Sequence, residues 1–331
     1  MTELPRVTLL ALGGTIAAPV DAHGRGADLG LDADGLVDAI PALAEVARIE
    51  ARTFRRTMSA TLSLDDVLEL AAAIEAEEAA GADGIVITMG TDTLEEVAFA
   101  LDLLVGTHVP VVVTGAMRNA GRPGADGPAN LLAATRVAAA PHARGLGALV
   151  VIDDEIHLAR FVRKSHSTAV STFSSAPLGP VGWVIERRVR IPLAPRARMP
   201  RLLPGGSVPS VALIRLSLGD DGRVLDALAS LGYAGVVVEV FGAGHVGAAL
   251  MPRLRSLAAA VPTVFASRTG TGELYRETGA FAGSERDLLD AGMISAGAFD
   301  GPKARVLLSL LLAAGRSRAE ITDAFSRAVD D

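Results

Sequence analysis

Two hydroxyl-bearing loops carry the chemistry of this chain: LALGGTIA, which puts Thr15 just past an apolar run, and ITMGTDTLEE, which puts Thr91 and Asp92 at the matching place after another. A buried strand ending in glycine leaves the next side chain at the carboxyl edge of a sheet, where open α/β sheets bind ligands. Gly13, Gly14 and Gly90 let the backbone approach a substrate with no Cβ in the way, and free amide N–H groups there can receive an oxyanion. A threonine at such a place supplies a nucleophile or an acceptor, and the pattern points to attack on an amide. For one GGT alone the plain alternative is a tight turn whose threonine caps the following helix. Two matched loops weigh against it.

Lysine usage singles out a base. Lys164 and Lys303 are the only lysines; every other basic side chain apart from histidine is arginine. A lysine can lose its proton when buried, whereas arginine stays charged, so a group that activates a hydroxyl can be lysine but not arginine. Lys164, in FVRKSHSTAVSTF, is the candidate, with a solvated surface cation as its alternative. Lys303, in GPKARVLL at an expected helix start, reads more simply as structural.

The elements that must position these loops alternate in type. VTLLAL, GIVITM, VPVVVTG and ALVVI read as strands; helices are expected from about Leu64, from about Leu94 and over PANLLAATRVAAA. Repeated β–α units with right-handed crossovers build one parallel sheet with helices on both faces. The proline-rich, basic segment LAPRARMPRLLPGGSVPS reads as a linker over 194–209. VALIRL, GVVVEVF and TVFAS then alternate with helices, the last around RVLLSLLLAAG and buried. The expected fold is therefore two-domain α/β, with a larger parallel-sheet domain at 1–193 and a smaller α/β domain at 210–331.

Composition narrows the partners. A chain of 331 residues, 50% of them hydrophobic, can build two cores. Its net charge of −7 and the lack of a basic stripe argue against nucleic acid. The chain contains no cysteine, and its six histidines have no ligand-like spacing, so no thiol chemistry, metal site or cofactor is expected. No apolar run has membrane-spanning length, and the acidic residue in MTELPRVTLLALGG argues against a secretory signal, so a cytoplasmic location is expected.

Five motifs in order, LALGGTIA, TMGTDTLEE, VVVTGAMR, FVRKSHSTAVSTF and GPKARVLL, make the chain resemble the bacterial L-asparaginase family over nearly its whole length. The resemblance implies that Thr15 forms an acyl-enzyme ester with the substrate side chain, and that Thr91, Asp92 and Lys164 form a second, hydrogen-bonded catalytic set. Which threonine attacks first is open within the family; Thr15 is the choice here. Ser59, in TMSATLSLDD, matches the serine that grips the substrate α-carboxylate. Asp92 and Glu285 match the carboxylates that meet the α-ammonium, Glu285 from a neighbouring subunit of a homodimer or homotetramer. Ala116 falls where a backbone carbonyl holds the leaving amide, and Gly14 and Gly90 line the substrate.

Three departures bear on specificity. The segment after Thr15, IAAPVDAHGRGADLG, lacks the tyrosine that the family places in its lid. Tyr233 opens a strand, and Tyr275 is the freer of the chain's two tyrosines. His23 and Arg25 lie in this candidate lid, where a solvated loop is the plain alternative. Met89 stands where the family often has histidine, and His245 where it often has asparagine. The competing functions are glutaminase or other small-amide hydrolysis, and an amino-acid-binding module with little turnover. A nucleotide-binding reading fails for want of G-x-G-x-x-G or a Walker-type lysine.

Overall fold

The computed structural model describes residues 3–17, 31–194, 197–228 and 230–330. The candidate lid residues His23 and Arg25 lie outside the described residues. The chain divides into two compact units, Met1–Arg201 and Leu202–Asp331.

Among the described residues the first unit carries ten strands and four α-helices. In chain order these are β1 (Arg6–Ala11), α1 (Ala33–Asp38), β2 (Arg48–Thr53), α2 (Leu64–Ala79), β3 (Gly84–Thr88), α3 (Leu94–Leu104), β4 (Val111–Thr114), α4 (Gly127–Ala138), β5 (Ala148–Ile152) and β6 (Glu155–Leu158). The short strands β7 (Arg163–Lys164) and β8 (Phe173–Ser174) follow, then β9 (Gly182–Ile185) and β10 (Arg188–Arg190). Eight strands form one sheet in the order β10-β9-β6-β5-β4-β3-β1-β2. β1 to β5 pair in parallel, as expected, but β6, β9 and β10 add an antiparallel edge, so the sheet is mixed.

The central strands are apolar on both faces because both are covered. Val7, Leu9, Val86, Val112 and Leu149 face a core with Leu36 of α1 and Leu131 and Val137 of α4. α2 and α3 pack against each other and on β3, β4 and β5, and bury Leu70, Ile74 and Phe99 outside that core. Helix starts follow local chemistry: Ser63 and Asp66 form a reciprocal capping box that fixes α2 at Leu64, as the pattern predicts.

The order β2-β1-β3-β4-β5 positions the site. The chain leaves β1 toward β2 on one side and then returns to place β3 on the other, so the crossovers that follow β1 and β3 run in opposite directions along the sheet. Such a reversal opens a crevice outside the carboxyl ends of the strands. Register brings those ends level: Ala11 pairs with both Thr53 and Thr88, and Thr88 with Thr114.

The second unit carries β11 (Val211–Arg215), α5 (Arg223–Leu228), β12 (Gly235–Val240), α6 (Met251–Ala260), β13 (Thr263–Ser267), α7 (Glu285–Asp290), β14 (Ile294–Ser295), α8 (Gly301–Ala313) and α9 (Arg318–Asp330). Its four strands are parallel, in the order β11-β12-β13-β14. α8, the apolar helix expected to be buried, packs on β11, β12 and β13.

Candidate active site

Each strand of the parallel core hands its next residues to one edge. β1 runs into Gly13 and Gly14, whose φ values of 96° and 87° turn the chain sharply before Thr15. β3 runs into Met89, Gly90 and Thr91, β4 into Gly115 and Ala116, and β2 into the loop that carries Ser59. Backbone bonds staple these loops together: Leu12 N–H donates to Thr88 O at 2.9 Å, Thr57 N–H to Leu12 O at 3.1 Å and Met89 N–H to Thr114 O at 3.0 Å.

The glycines are there for closeness. A Cβ on Gly14 would stand 2.2 Å from Gly90 N, and one on Gly90 would stand 2.7 Å from Ser59 Oγ. One on Gly115 would meet Thr91 Cγ2 at 3.2 Å, and one on Gly127 would meet Ile16 Cγ1 at 3.0 Å and Ala116 Cβ at 3.4 Å. Gly14, Thr15, Ser59, Gly90, Thr91 and Ala116 therefore gather on one crevice.

Lys164 joins them through β7. Its Nζ donates to Thr91 Oγ1 at 2.9 Å and to Asp92 Oδ1 at 2.8 Å. Thr91 is buried, the Lys164 side chain is 16% exposed and that of Asp92 is 59% exposed, so the set runs from the interior to the crevice mouth. The surface-cation alternative for Lys164 fails on this geometry. So does the helix-cap alternative for Thr91, whose hydroxyl is engaged by the lysine. The N-cap position of α3 belongs to Thr93, which makes no cap bond and donates instead to Ser59 O at 2.9 Å.

Ser59 is buried, and its Oγ has no hydrogen-bond partner. An unpaired buried hydroxyl is destabilising, and a ligand oxygen arriving in the crevice would satisfy it. Residues that sequence reasoning passed over hold this shell: Thr93 on Ser59, Glu95, whose carboxylate accepts the Lys164 N–H, and Asp126, which takes the N–H groups of Met117 and Arg118 at 2.8 Å each. Asn130 Nδ2 then donates to Gly115 O at 3.0 Å. Their signal in the sequence was the polar residue next to each motif, in TDTLEE and in ADGPAN.

Glu285 belongs to the second unit, at the first position of α7 after the Ser284 cap. Its side chain is fully enclosed there. Burial pushes its carboxyl up, but backbone N–H groups at Gly279, Glu285 and Thr278, with the His245 ring, outweigh that and hold it below the usual range. Met89 is a core residue with no exposure. Among the described residues no group of histidines and carboxylates is arranged to hold a metal ion, and no helix is long and apolar enough to cross a membrane.

Residues 6–196 match the family model described as Asparaginase, N-terminal, and residues 210–325 that described as Glutaminase/Asparaginase C-terminal domain. The chain is 37% identical over 320 residues to a protein of Haemophilus influenzae described as a probable periplasmic L-asparaginase, covering 94% of this chain and 89% of that one. It is 34% identical to a Methanosarcina acetivorans protein described as a component of a glutamyl-tRNA(Gln) amidotransferase, covering 88% and 70%. A crystal structure described as a probable cytoplasmic L-asparaginase from Campylobacter jejuni superposes with a TM-score of 0.87 at 32% identity, over 97% of this chain and 99% of that one.

Proposed function

The chain belongs to the asparaginase/glutaminase family, and from that premise we propose that it hydrolyses L-asparagine to L-aspartate and ammonia through an acyl-enzyme ester on Thr15. The observation that carries this reading is the set Lys164, Thr91 and Asp92, hydrogen-bonded beside the loop that presents Thr15.

The steps follow from those positions. Thr15 Oγ attacks the side-chain amide carbon, and the carbonyl oxygen becomes an oxyanion held by loop N–H groups at the strand ends. The C–N bond breaks, the nitrogen leaves as ammonia with the hydroxyl proton, and the ester remains. Water then attacks the ester carbon, restoring the Thr15 hydroxyl and releasing the carboxylic acid. In the resting geometry Lys164 donates to Thr91 Oγ1, so it accepts a proton only after giving one up. Thr91 and Lys164 thereby move the protons of the attacking and leaving groups, and Asp92 fixes the lysine and faces the substrate ammonium. Ser59 binds the α-carboxylate, the Ala116 carbonyl the leaving amide, and Glu285 of a second copy the α-ammonium. This last role makes the active form a homodimer or homotetramer. We place the enzyme in the cytoplasm, as the description of the Campylobacter jejuni neighbour places that protein.

A second reading, amide hydrolysis centred on glutamine, is favoured by the Methanosarcina acetivorans relative and its glutamyl-tRNA(Gln) description. Ammonia release from L-asparagine and L-glutamine, compared as kcat/KM on one preparation, separates the two. A preference for asparagine is expected; a preference for glutamine would transfer the assignment to the second reading.

A further inference from the structure

The second unit holds a carboxylate that is enclosed and only half satisfied. Glu285 has no solvent exposure. Its Oε1 accepts the N–H of Gly279, while Oε2 accepts no hydrogen bond. The ring of His245 stands beside that second oxygen, with Nε2 3.5 Å from Oε2. A buried carboxylate oxygen without a donor is destabilising, and the group best suited to relieve it is a cation with hydrogens to give.

Two glycines lie directly against the Glu285 side chain. A Cβ on Gly279 would stand 2.4 Å from Oε2, and one on Gly244 would stand 2.9 Å from the Glu285 Cβ. His245 is the adaptable member. Its side chain is 37% exposed, and it ends a tight turn in which Phe241 and His245 exchange both backbone bonds, with φ of 50° at Gly242 and 121° at Gly244. The Phe281 ring lies 5.2 Å from the imidazole at 59° and steadies it over the carboxylate. In this structure, then, an imidazole edge stands where an ammonium would give Glu285 Oε2 the hydrogen bond it lacks.

We propose that His245 is a specificity-determining gate: its imidazole occupies the ammonium-binding face of Glu285, and a substrate with an α-ammonium binds by displacing it. This rests on the reading of Glu285 as an α-ammonium pole. The gate weakens binding of every α-amino ligand by the work of moving the ring, and it leaves a ligand without that ammonium untouched. His245 acts through Glu285 and is a positioning residue.

The test compares ligands that differ only in the ammonium. Binding of L-aspartate and of succinate is measured by calorimetry on the full-length protein, for the unmodified chain, His245→Ala, His245→Asn, Glu285→Gln and the double variant His245→Ala/Glu285→Gln. Both His245 variants should tighten L-aspartate by roughly 3–10-fold and leave succinate unchanged. Glu285→Gln should weaken L-aspartate by about tenfold or more, a loss in the range of a charged hydrogen bond. In the double variant the gain from opening the gate should vanish. Tightening of both ligands alike, weaker L-aspartate binding in the His245 variants, or a gain that survives Glu285→Gln would each overturn the gate. Should the unmodified chain bind no L-aspartate and release no ammonia from L-asparagine, the amidohydrolase reading falls and the gate with it. Binding without any dependence on His245 overturns the gate alone. Thermal unfolding of each variant identifies any that fails to fold, and His245→Asn serves where His245→Ala does not.

Discussion

The Lys164 ammonium donates to Thr91 Oγ1 at 2.9 Å, joining residues 73 positions apart in the chain. With the 2.8 Å bond to Asp92, it defines the polar end of the crevice and separates charge stabilisation from proton transfer experimentally. Lys164→Met is expected to lower kcat by about 10²–10⁴-fold with KM little changed, the range for a positioned acid–base group. Lys164→Arg keeps the charge but cannot release the proton. It should be as inactive as the methionine variant, and recovery of most activity would reduce the lysine to an electrostatic role.

Ser59 separates binding from stability. Its buried hydroxyl has no partner in the free protein, so Ser59→Ala removes an unsatisfied group and should change stability by less than about 1 kcal/mol in either direction. The same change should raise KM by about 10–100-fold, the loss of a hydrogen bond to a charged carboxylate. Urea unfolding and steady-state kinetics on one preparation check both. A large loss of stability with KM intact would make Ser59 structural.

Gly14 tests whether the two loops must touch. At φ 87°, with Gly90 N 2.2 Å from the place of a Cβ, alanine is strained and has no room. Gly14→Ala is expected to destabilise the protein by about 1–3 kcal/mol and to abolish turnover. A folded, active alanine variant would show that Thr15 and Thr91 work without this contact.

His157 sets an acid limit on stability. It lies on β6, buried, with Nδ1 2.9 Å from Ser175 Oγ and Nε2 3.3 Å from Glu155 Oε2. Burial pushes its imidazole down from 6.5 to about 4. Between those values the unfolded chain holds the extra proton, so stability falls as pH drops from about 6.5 to about 4 and is unaffected above that window. The contribution is up to about 3 kcal/mol. His157→Gln should flatten the urea midpoint between pH 4 and 6.5, and an unchanged slope would assign the acid limit to other groups.

Much of this was legible because apolar runs and glycine-ended loops are local signals. The strands β1, β3, β4, β5, β11, β12 and β13 fall on the runs that predicted them, and α2 and α3 start at Leu64 and Leu94. β2 escaped notice because RIEART lies at the sheet edge with mixed exposure, and so has no apolar run. β6, β9 and β10 escaped because they turn back antiparallel, through Asp153 and Asp154 at positive φ in the first case, where a βαβ rhythm predicts a helix. At the site, the motifs located Thr15, Thr91 and Lys164, but the Thr93 bond to Ser59 and the enclosure of Glu285 depend on contacts between distant segments that no local pattern encodes.

Thr15 is proposed to form the ester through which an amide is hydrolysed. Ammonia release from L-asparagine by the purified protein, beside Thr15→Ala with its fold verified by circular dichroism, tests it most directly. Clear release from the unmodified chain and loss of at least about 10³-fold in the variant are expected. Equal release from both would contradict the assignment of Thr15, and no release from either, with L-aspartate still bound, would leave a binding module in place of an enzyme.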